Sequence, residues 1–495
     1  MTHGVSEDIG HTVVIGGGPA GLSSAYELKR LAPNARVTVF EASNHLGGIA
    51  RTERYKGFRF DIGGHRFFTK VPEVEEMWHG VLGKHFLRRP RRSRIFYRNK
   101  YFDYPLKPFN ALSKIGIYET ARILLSYIKW QVRPKRHEDT FEEWVINRFG
   151  GRLYMHFFDS YTEKVWGISP KLIQADWAAQ RIKSLSLSKA VINAFSGRSD
   201  TTSLIEEFHY PSKGPGMMWE MTAELIERKG AEVRMNAPVI GIERNDNRIE
   251  AVIVNTPGGP IRVAGDHFIN SMDLRTLIGC ISPPPPQEVL DAASVLRFRD
   301  FILVALILDK PDPFPDNWIY IHSPDVRVGR IQNFRAWSPE MIPNDQQTSI
   351  GMEYFCWTDD DLWSSADSEL VALAARELEQ LGLARREDVV DGTVVRQPKA
   401  YPVYDTEYRA AVDTIFAWLK KLENFQSIGR NGQHRYNNQD HSMLTGMLAA
   451  RNILGERHDV WNVNVDRAYH EQFERPRDDR PKNSMERTEL RKEPA

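Results

Sequence analysis

The stretch HTVVIGGGPAG, residues 11–21, decides the fold. Its apolar run over 11–15 predicts a short buried strand that ends abruptly in glycines. A helical pattern follows from residue 20 to about residue 30, and the run RVTVFEA over 36–42 predicts a second strand. A strand, a glycine turn, a helix and a second strand within about thirty residues form a βαβ unit, so we expect these two strands to lie parallel.

The three glycines suit a dinucleotide at this turn. Gly16 permits the tight turn, Gly18 lets a pyrophosphate approach the backbone, and Gly21 lets the helix pack closely on the strand. The amides at the start of the helix then face the phosphates. Glu41 ends the second strand, where its carboxylate can accept hydrogen bonds from both ribose hydroxyls of an adenosine. The sequence therefore predicts a dinucleotide-binding domain.

The next loop favours FAD over NAD. The stretch NHLGGIARTER, residues 44–54, supplies Gly48 and Arg51. It resembles the second glycine motif of the glutathione-reductase and amine-oxidase type of flavoproteins, which lies along the FAD. Simple NAD dehydrogenases lack it, and a generic glycine turn is the alternative interpretation.

Further segments extend the predicted cofactor site. In FDIGGHRFFTK, residues 60–70, adjacent glycines let the backbone lie flat against a planar ring, and the side chain after them can reach that ring. In NNQDHSMLTGM, residues 437–447, polar residues begin a helix whose free amides suit a phosphate or a reduced flavin anion. A simple capping sequence is the alternative there. These segments and the strand beginning at residue 239 contribute the candidate cofactor contacts Gly64, His65, Val239, Arg430, Asn438, Gln439 and Ser442.

Composition excludes several classes of protein. The chain has 66 basic and 65 acidic residues, so no global field points to nucleic acid. Two cysteines without a CxxC pair argue against a disulfide framework or a structural zinc site. No signal peptide begins the chain and no 18 apolar residues run together, so we expect a cytoplasmic protein without a membrane span. Whether the chain forms a homo-oligomer stays open.

At 495 residues the chain is too long for one core. We predict an α/β fold in which a Rossmann-like FAD-binding domain is interleaved with a helical and a mixed-sheet substrate domain. We assign residues 10–75, 205–285 and 420–472 to the FAD-binding domain, 76–204 to a largely helical substrate or lid domain, 286–419 to a sheet-containing substrate domain, and 475–495 to a disordered tail.

With these motifs in order, residues 10 to 455 resemble the amine oxidase and protoporphyrinogen oxidase superfamily. Within it the chain is similar to UDP-galactopyranose mutase, especially the longer, eukaryotic-type branch. The more specific matches are TFEEW before EKVWG, DWAAQR, WIY with an arginine ten residues later, AYPVY, and GRNGQHRYNNQDHS. The resemblance implies a substrate site formed by Tyr104, Lys107, Trp166, Arg181, Tyr320, Arg330, Tyr401 and Tyr436.

The resemblance also implies a non-redox use of reduced FAD, in which flavin N5 attacks the anomeric carbon of a nucleotide sugar and pyranose and furanose forms interconvert. Arg181 and Arg330 would bind the diphosphate and stabilise it as a leaving group, since a guanidinium stays protonated and donates in a planar fork. His65 would lie beside the flavin and favour its reduced state. NADPH is a candidate reductant, with Arg91 in the basic run over 88–94 as its contact; a solvated loop is the alternative.

Two departures from the family pattern concern the substrate. The segment after Tyr436 is two residues shorter than in the eukaryotic-type branch, and Lys107 stands where a neutral residue is expected. Two rival functions remain: an FAD-dependent oxidoreductase of the amine oxidase or protoporphyrinogen oxidase kind, and a flavin-dependent binding or redox-sensing protein. The oxidoreductase does not account for the paired arginines and the set of tyrosines, for which an apolar or amine substrate has no use, whereas the binding or redox-sensing protein predicts tight FAD with no turnover of any sugar nucleotide.

Overall fold

A computed structural model describes residues 9–104, 113–175 and 207–464. The predicted tail over 475–495 lies outside these residues, as do Lys107 and Arg181. No helix within the described ranges is long and apolar enough to cross a bilayer.

The element that organises the chain is a five-stranded parallel sheet in the order β20-β13-β1-β2-β9. Its centre is the predicted βαβ unit: β1 pairs in parallel with β2, with Val13 opposite Thr38, which confirms the parallel prediction. The strands are β1 (His11–Ile15), β2 (Arg36–Phe40), β3 (Thr52–Tyr55), β4 (Phe58–Asp61), β5 (Phe86–Pro90), β6 (Ser93–Tyr97), β7 (Lys100–Asp103), β8 (Glu207–Pro211), β9 (Glu232–Arg234), β10 (Val239–Asn245), β11 (Arg248–Thr256), β12 (Gly259–Ala264), β13 (His267–Asn270), β14 (Ile281–Ser282), β15 (Phe298–Leu308), β16 (Trp318–Ile321), β17 (Arg330–Asn333), β18 (Thr348–Cys356), β19 (Val389–Pro402) and β20 (Phe425–Ser427).

Helices cover both faces of this sheet, because its strands are apolar on both sides. The first and the last long helices pack so closely that a Cβ at Gly446 would lie 2.2 Å from the Ala20 carbonyl oxygen. The helices are α1 (Pro19–Leu31), α2 (Pro72–Leu82), α3 (Ile117–Val132), α4 (Phe141–Phe149), α5 (Gly151–Phe157), α6 (Asp159–Trp166), α7 (Gly216–Arg228), α8 (Leu274–Cys280), α9 (Gln287–Val295), α10 (Phe334–Trp337), α11 (Asp361–Ser364), α12 (Asp367–Gln380), α13 (Tyr408–Leu419), α14 (Gly429–Gly432) and α15 (Gln439–Ile453).

A seven-stranded sheet forms the second layer, in the order β19-β15-β18-β17-β16-β6-β7. It is mixed, since β16 pairs in parallel with β6 whereas its other ladders are antiparallel. The fold class is therefore the predicted one, a parallel cofactor-binding sheet combined with a mixed sheet and helices.

The expectation that residues 76–204 are largely helical is wrong for residues 86–103, which form β5, β6 and β7. Two of these strands complete the seven-stranded sheet, and the third pairs with β8. Their alternation of buried and exposed residues spans only four or five positions and is interrupted by arginines, so the pattern is too short to identify from sequence.

Two helices of the predicted sheet domain belong by packing to the cofactor side. Residues of α9 and α13 share one core with Phe268 of β13 and Phe425 of β20. The long strand β15 begins only at Phe298. A domain division that follows this packing therefore assigns residues 287–295 and 408–419 to the parallel sheet.

Candidate functional site

A cavity of about 1110 Å³ extends from the glycine turn after β1 to the seven-stranded sheet. At one end lie Gly16, Gly18 and Glu41, which we call the glycine end. At the other lie Tyr320 and Arg330, on neighbouring antiparallel strands, which with Glu353 and Tyr401 form what we call the arginine end. The carboxyl end of a parallel sheet is where open α/β folds bind their ligands.

Backbone geometry builds the glycine end. Gly16 has φ of +103° at the turn from β1 into α1, and its N–H donates to the Phe40 carbonyl oxygen at 2.8 Å, which ties this turn to the end of β2. A Cβ at Gly21 would lie 1.9 Å from the Gly16 carbonyl oxygen, so α1 can pack here only because residue 21 is glycine. A Cβ at Gly18 would meet only the backbone of Gly48, 3.8 Å away, which leaves room for a ligand above the turn.

Glu41 is oriented by hydrogen bonds from the backbone. The Gly17 N–H donates to Oε2 at 2.7 Å, and the Ser43 N–H donates to Oε1 at 2.9 Å. A carboxylate has about four acceptor positions, so lone pairs remain for ribose hydroxyls. The arrangement fits the predicted adenosine contact.

The second glycine loop lies against the first. The Gly47 N–H donates to the Gly17 carbonyl oxygen at 2.9 Å. Arg51 donates from Nη1 to the Gly48 carbonyl oxygen at 3.0 Å and to Gln397 Oε1 on β19 at 2.6 Å. Arg51 therefore connects this loop to the strand that carries Tyr401, and both Gly48 and Arg51 line the cavity.

His65 lies on the cavity wall just after Gly64. Its Nε2 is 2.8 Å from the Ile62 carbonyl oxygen, so Nε2–H must donate, because a carbonyl can only accept. Burial lowers the pKa of His65 to about 4, and the nearby Arg430 lowers it as well. The imidazole is therefore neutral at pH 7 and adds no positive charge to the cavity.

The C-terminal helix α15 closes the glycine end from the other side. Asn438, Gln439 and Ser442 line the cavity at its start, and Val239 lines it from β10. Gln439 accepts a hydrogen bond from the indole N–H of Trp219 at 3.2 Å. The capping box at Asn438 confirms that a helix begins here, three residues earlier than the sequence pattern indicated.

Arg330 is the best-held cation at the arginine end. Its Nε lies 2.5 Å from Oε2 of Glu353, and its Nη2 donates to the Tyr401 hydroxyl at 2.8 Å. Gln332 donates to the other oxygen of Glu353 at 2.7 Å. Burial acts to lower the pKa of Arg330, but the Glu353 carboxylate and the nearby Tyr401, Tyr161 and Tyr436 together raise it well above its ordinary value, so the guanidinium stays charged.

Two further arginines lie near Arg330. The Arg66 guanidinium lies 4.9 Å from the ring centre of Trp318, and that of Arg91 lies 5.7 Å from the same ring and 5.3 Å from the ring of Tyr104. Burial raises the pKa of Tyr320, while Arg66, Arg91 and Arg330 all act to lower it. Arg330 lies opposite Tyr320 in the sheet, and Arg66 and Arg91 lie against Trp318 and Tyr104, the aromatic neighbours of Tyr320.

Aromatic rings form the walls between the two ends. Tyr401 and Tyr436 stack at 5.5 Å, and the Arg430 guanidinium lies 4.7 Å from the Tyr436 ring. Tyr104 packs on Tyr320 at 4.7 Å. Burial raises the pKa of Tyr401 and of Tyr320, so both keep their protons at neutral pH and can donate hydrogen bonds.

The structure places Trp166 differently from the sequence prediction. Trp166 is 2% exposed and packs 6.2 Å from Tyr401 and 6.1 Å from Tyr436, outside the cavity lining. It supports the tyrosines from behind, whereas Tyr161 and Thr162, one turn earlier on α6, line the cavity. Residues four apart lie on one face of a helix, but here Thr162 reaches the cavity and Trp166 does not.

Several lining residues were not predicted: Arg66, Tyr161, Trp318, Gln332 and Glu353. Glu353 carried a sequence signal, because it is the one acid in the otherwise uncharged strand TSIGMEYFC, and a carboxylate there needs a partner. The others carried no local signal, since their roles depend on which strands become neighbours.

Comparison with known proteins identifies the family. The model of the flavin containing amine oxidoreductase family matches residues 19–454. Coproporphyrinogen III oxidase of Mycobacterium tuberculosis is 26% identical over 431 residues, covering 82% of this chain and 90% of that protein. L-amino acid oxidase bordonein-L of Crotalus durissus terrificus is 32% identical over 316 residues, covering 58% of this chain and 56% of that protein.

Among solved structures, that of reduced UDP-galactopyranose mutase superposes with a TM-score of 0.81 at 20% identity, covering 93% of this chain and 99% of that chain. A putative protoporphyrinogen oxidase from Exiguobacterium superposes with a TM-score of 0.68 at 16% identity, covering 92% of this chain and 100% of that chain. At these identities the two structures establish the fold but not the reaction, which has to be argued from the residues of the site.

Proposed function

Because this chain belongs to the flavin-containing amine oxidoreductase family and binds FAD, we propose that it uses reduced FAD to interconvert the pyranose and furanose forms of a nucleotide sugar, with UDP-galactose as the first candidate. The family match supports the use of FAD. The arginine end of the cavity supports the choice of a nucleotide sugar as substrate.

The observation that carries the proposal is the grouping of three arginines at the arginine end: Arg330 lies opposite Tyr320 on the neighbouring strand, and Arg66 and Arg91 lie against Trp318, whose ring is 6.2 Å from that of Tyr320. Three guanidinium groups with the Glu353 carboxylate leave two positive charges in excess, which match the two negative charges of a nucleotide diphosphate. Arginine is suited to phosphate because its planar fork donates two parallel hydrogen bonds. Glu353 holds the Arg330 fork in one orientation, so less freedom is lost when a ligand binds.

The tyrosines complete the proposed substrate site. The hydroxyl groups of Tyr320, Tyr401 and Tyr436 would donate to phosphate oxygens while their rings exclude water and form an apolar wall for the sugar and the base. Tyr104 packs on Tyr320 and would fix its ring. Arg181 and Lys107 would join them from outside the described residues.

In the proposed reaction the protein positions and stabilises charge. Reduced FAD, when bound, supplies N5 as the nucleophile for the anomeric carbon. Arg330 and its neighbours would stabilise the negative charge that grows on the diphosphate as the bond to the sugar breaks. Arg430, stacked on Tyr436, would favour the anionic reduced cofactor, whereas neutral His65, whose one N–H is donated to the Ile62 carbonyl oxygen, would add neither a positive charge nor a donor.

NADPH is the reductant we propose. Within the basic run over 88–94, Arg88 pairs with Glu207, Arg94 pairs with Asp316, and Arg89 donates to the Ala336 carbonyl oxygen at 3.2 Å. These three side chains serve the fold. The guanidinium of Arg91 lies over the rings of Tyr104 and Trp318, two residues that line the cavity.

A net oxidase is the second candidate, favoured by sequence similarity to coproporphyrinogen III oxidases over 82% of the chain. An oxidase whose substrate is anionic would use the same arginines. The two proposals differ in electron balance, because an isomerase leaves the flavin reduced after each turnover and an oxidase must pass two electrons to an acceptor.

Titration of the FAD-loaded protein with UDP tests the substrate class. We expect UDP and UDP-galactose to perturb the flavin absorbance saturably at micromolar to millimolar concentrations, with free galactose giving no change. If UDP has no effect while a compound without a diphosphate perturbs the flavin and reduces it under nitrogen, the mutase proposal is contradicted and the oxidase proposal is supported.

A further inference from the structure

Helix α3, Ile117–Val132, exposes many of its large apolar side chains to solvent. Five of its large apolar side chains are exposed, with Ile117 at 91%, Val132 at 73% and Leu125 at 68%; the other two are Tyr118 and Ile128. At 100° per residue, all five fall within one sector about 100° wide. The helix therefore presents a continuous apolar stripe away from the protein.

The opposite side of α3 faces the protein, where Ile123 is fully buried beside several polar contacts. Glu119 forms an ion pair with Arg152 and accepts a hydrogen bond from Nε2 of His156 at 2.9 Å. Ser126 Oγ accepts the Arg152 backbone N–H at 3.1 Å. The helix backbone at Tyr127 lies so close that a Cβ at Gly150 would come within 2.9 Å of it. This contact fixes the orientation of the helix, so the exposed stripe is not a consequence of loose packing.

Basic residues lie along one edge of the apolar stripe. Residues 114–136 contain six basic residues and one acidic residue, whereas the whole chain has 66 and 65. Arg122 and Lys129 border the stripe along one edge, and Lys129 lies 5.3 Å from the ring of Trp130. A helix whose exposed face is apolar and includes a tyrosine, with a cationic edge, is the pattern of segments that lie in the surface of an anionic bilayer.

We propose that α3 docks this protein on an anionic lipid surface, with Ile117, Leu125, Ile128 and Val132 inserted among the acyl chains and Lys129 and Arg122 at the headgroups. The helix lies in the plane of the membrane, in keeping with the finding that none of the described helices can span one. The proposal is independent of the reaction.

Charge argues for lipid over a second copy of the chain. A two-fold interface would place the same patch on both subunits, and therefore two strongly basic stretches against each other. An anionic headgroup layer offers the opposite charge, and each Lys or Arg near it strengthens binding about fivefold.

The test uses the full FAD-loaded chain and flotation with two kinds of vesicle, one of phosphatidylcholine alone and one of equal parts phosphatidylcholine and phosphatidylglycerol. We expect flotation with the second kind only, weakened by high salt. The variant Leu125→Ser/Ile128→Ser should reduce binding by at least tenfold, and Lys129→Gln by about fivefold. FAD content reports that each variant is folded.

The matched control is Met235→Ser/Val390→Ser, which removes two apolar side chains that are exposed elsewhere, at 46% and 53%. It should float like the parent. No flotation with either vesicle, equal loss in the control, or a dimer in solution that Leu125→Ser/Ile128→Ser dissociates without any vesicle binding would overturn the proposal.

Discussion

The two ends of the cavity are built by different means. At the glycine end the geometry comes from backbone within one short stretch: Gly16 closes a turn, Gly21 permits a close helix, and Glu41 is held by the amides of Gly17 and Ser43. At the arginine end it comes from side chains of separate strands, where Arg330 is held by Glu353 and Tyr401. The geometry of the glycine end is encoded in one short stretch, so we expect few substitutions there to be tolerated. The geometry of the arginine end depends on tertiary pairing, so its side chains can be changed one at a time.

The largest expected effect is at the glycine end. Gly21→Ala would place a Cβ 1.9 Å from the Gly16 carbonyl oxygen, so the turn or the helix must move. We expect no FAD in the purified protein and a loss of several kcal/mol in the free energy of unfolding. Gly80→Ala, where a Cβ would meet nothing within 4 Å, is the control and should retain FAD. FAD in the purified variant at the parent's level would show that the turn is not the cofactor cradle.

Arg330→Met tests the arginine end and should separate it from the glycine end. FAD content should stay near that of the parent, while UDP affinity falls about a hundredfold, since a buried charge pair loses one partner. The control is Arg335→Met, because Arg335 has the same 20% side-chain exposure but pairs with Asp345 outside the cavity. If both variants lose UDP affinity equally, Arg330 has no particular role.

Glu353→Gln sharpens the same comparison. Combined with Arg330→Met it removes the unpaired carboxylate, so the double variant should recover stability, measured by urea unfolding, relative to Arg330→Met alone. UDP affinity should not recover. Recovery of both would mean that Arg330 acts through folding alone.

The residues that could be predicted from sequence differ in the same way between the two ends of the cavity. Gly16, Gly18 and Glu41 were predicted because each role is encoded in neighbouring residues, and Gly48 was predicted because its loop resembles a flavoprotein motif. Arg330 and Tyr401 were identified only through a resemblance, and Glu353, to which Arg330 pairs, was not. The strand pairing of β17 with β18, which places Arg330 opposite Glu353, is not encoded locally.

Acid should weaken the site through His65. Its pKa is about 4 in the folded protein, against about 6.5 in an unfolded chain, so the unfolded state binds a proton that the folded state excludes. Stability from the neutral imidazole is therefore present above pH 6.5 and is lost as pH falls from 6.5 toward 4. We expect FAD release, followed by flavin fluorescence, to increase across that range.

The variant His65→Asn should flatten this pH profile, whereas His79→Asn on the exposed side of α2 should leave it unchanged. A profile in His65→Asn identical to that of the parent would assign the acid sensitivity to other groups.

The smallest effect is expected from Tyr401→Phe. It removes one hydroxyl that accepts from Arg330 and would donate to phosphate, so UDP affinity should fall about three- to tenfold with FAD binding intact. Tyr354→Phe, which removes a hydroxyl bonded to Glu377 at 3.0 Å outside the cavity, is the control and should change stability only. Equal UDP affinity in the two variants would contradict a phosphate contact at Tyr401.

The central claim is that the arginine end binds a nucleotide sugar for isomerisation by reduced flavin. The direct measurement is to reduce the FAD-loaded protein with dithionite under nitrogen, add UDP-galactofuranose, and follow the products by HPLC and the flavin by absorbance. We expect the reduced protein to form UDP-galactopyranose and the oxidised protein to form none. The flavin should stay reduced throughout. No conversion of this or any other nucleotide sugar, together with turnover that oxidises another substrate, would contradict it.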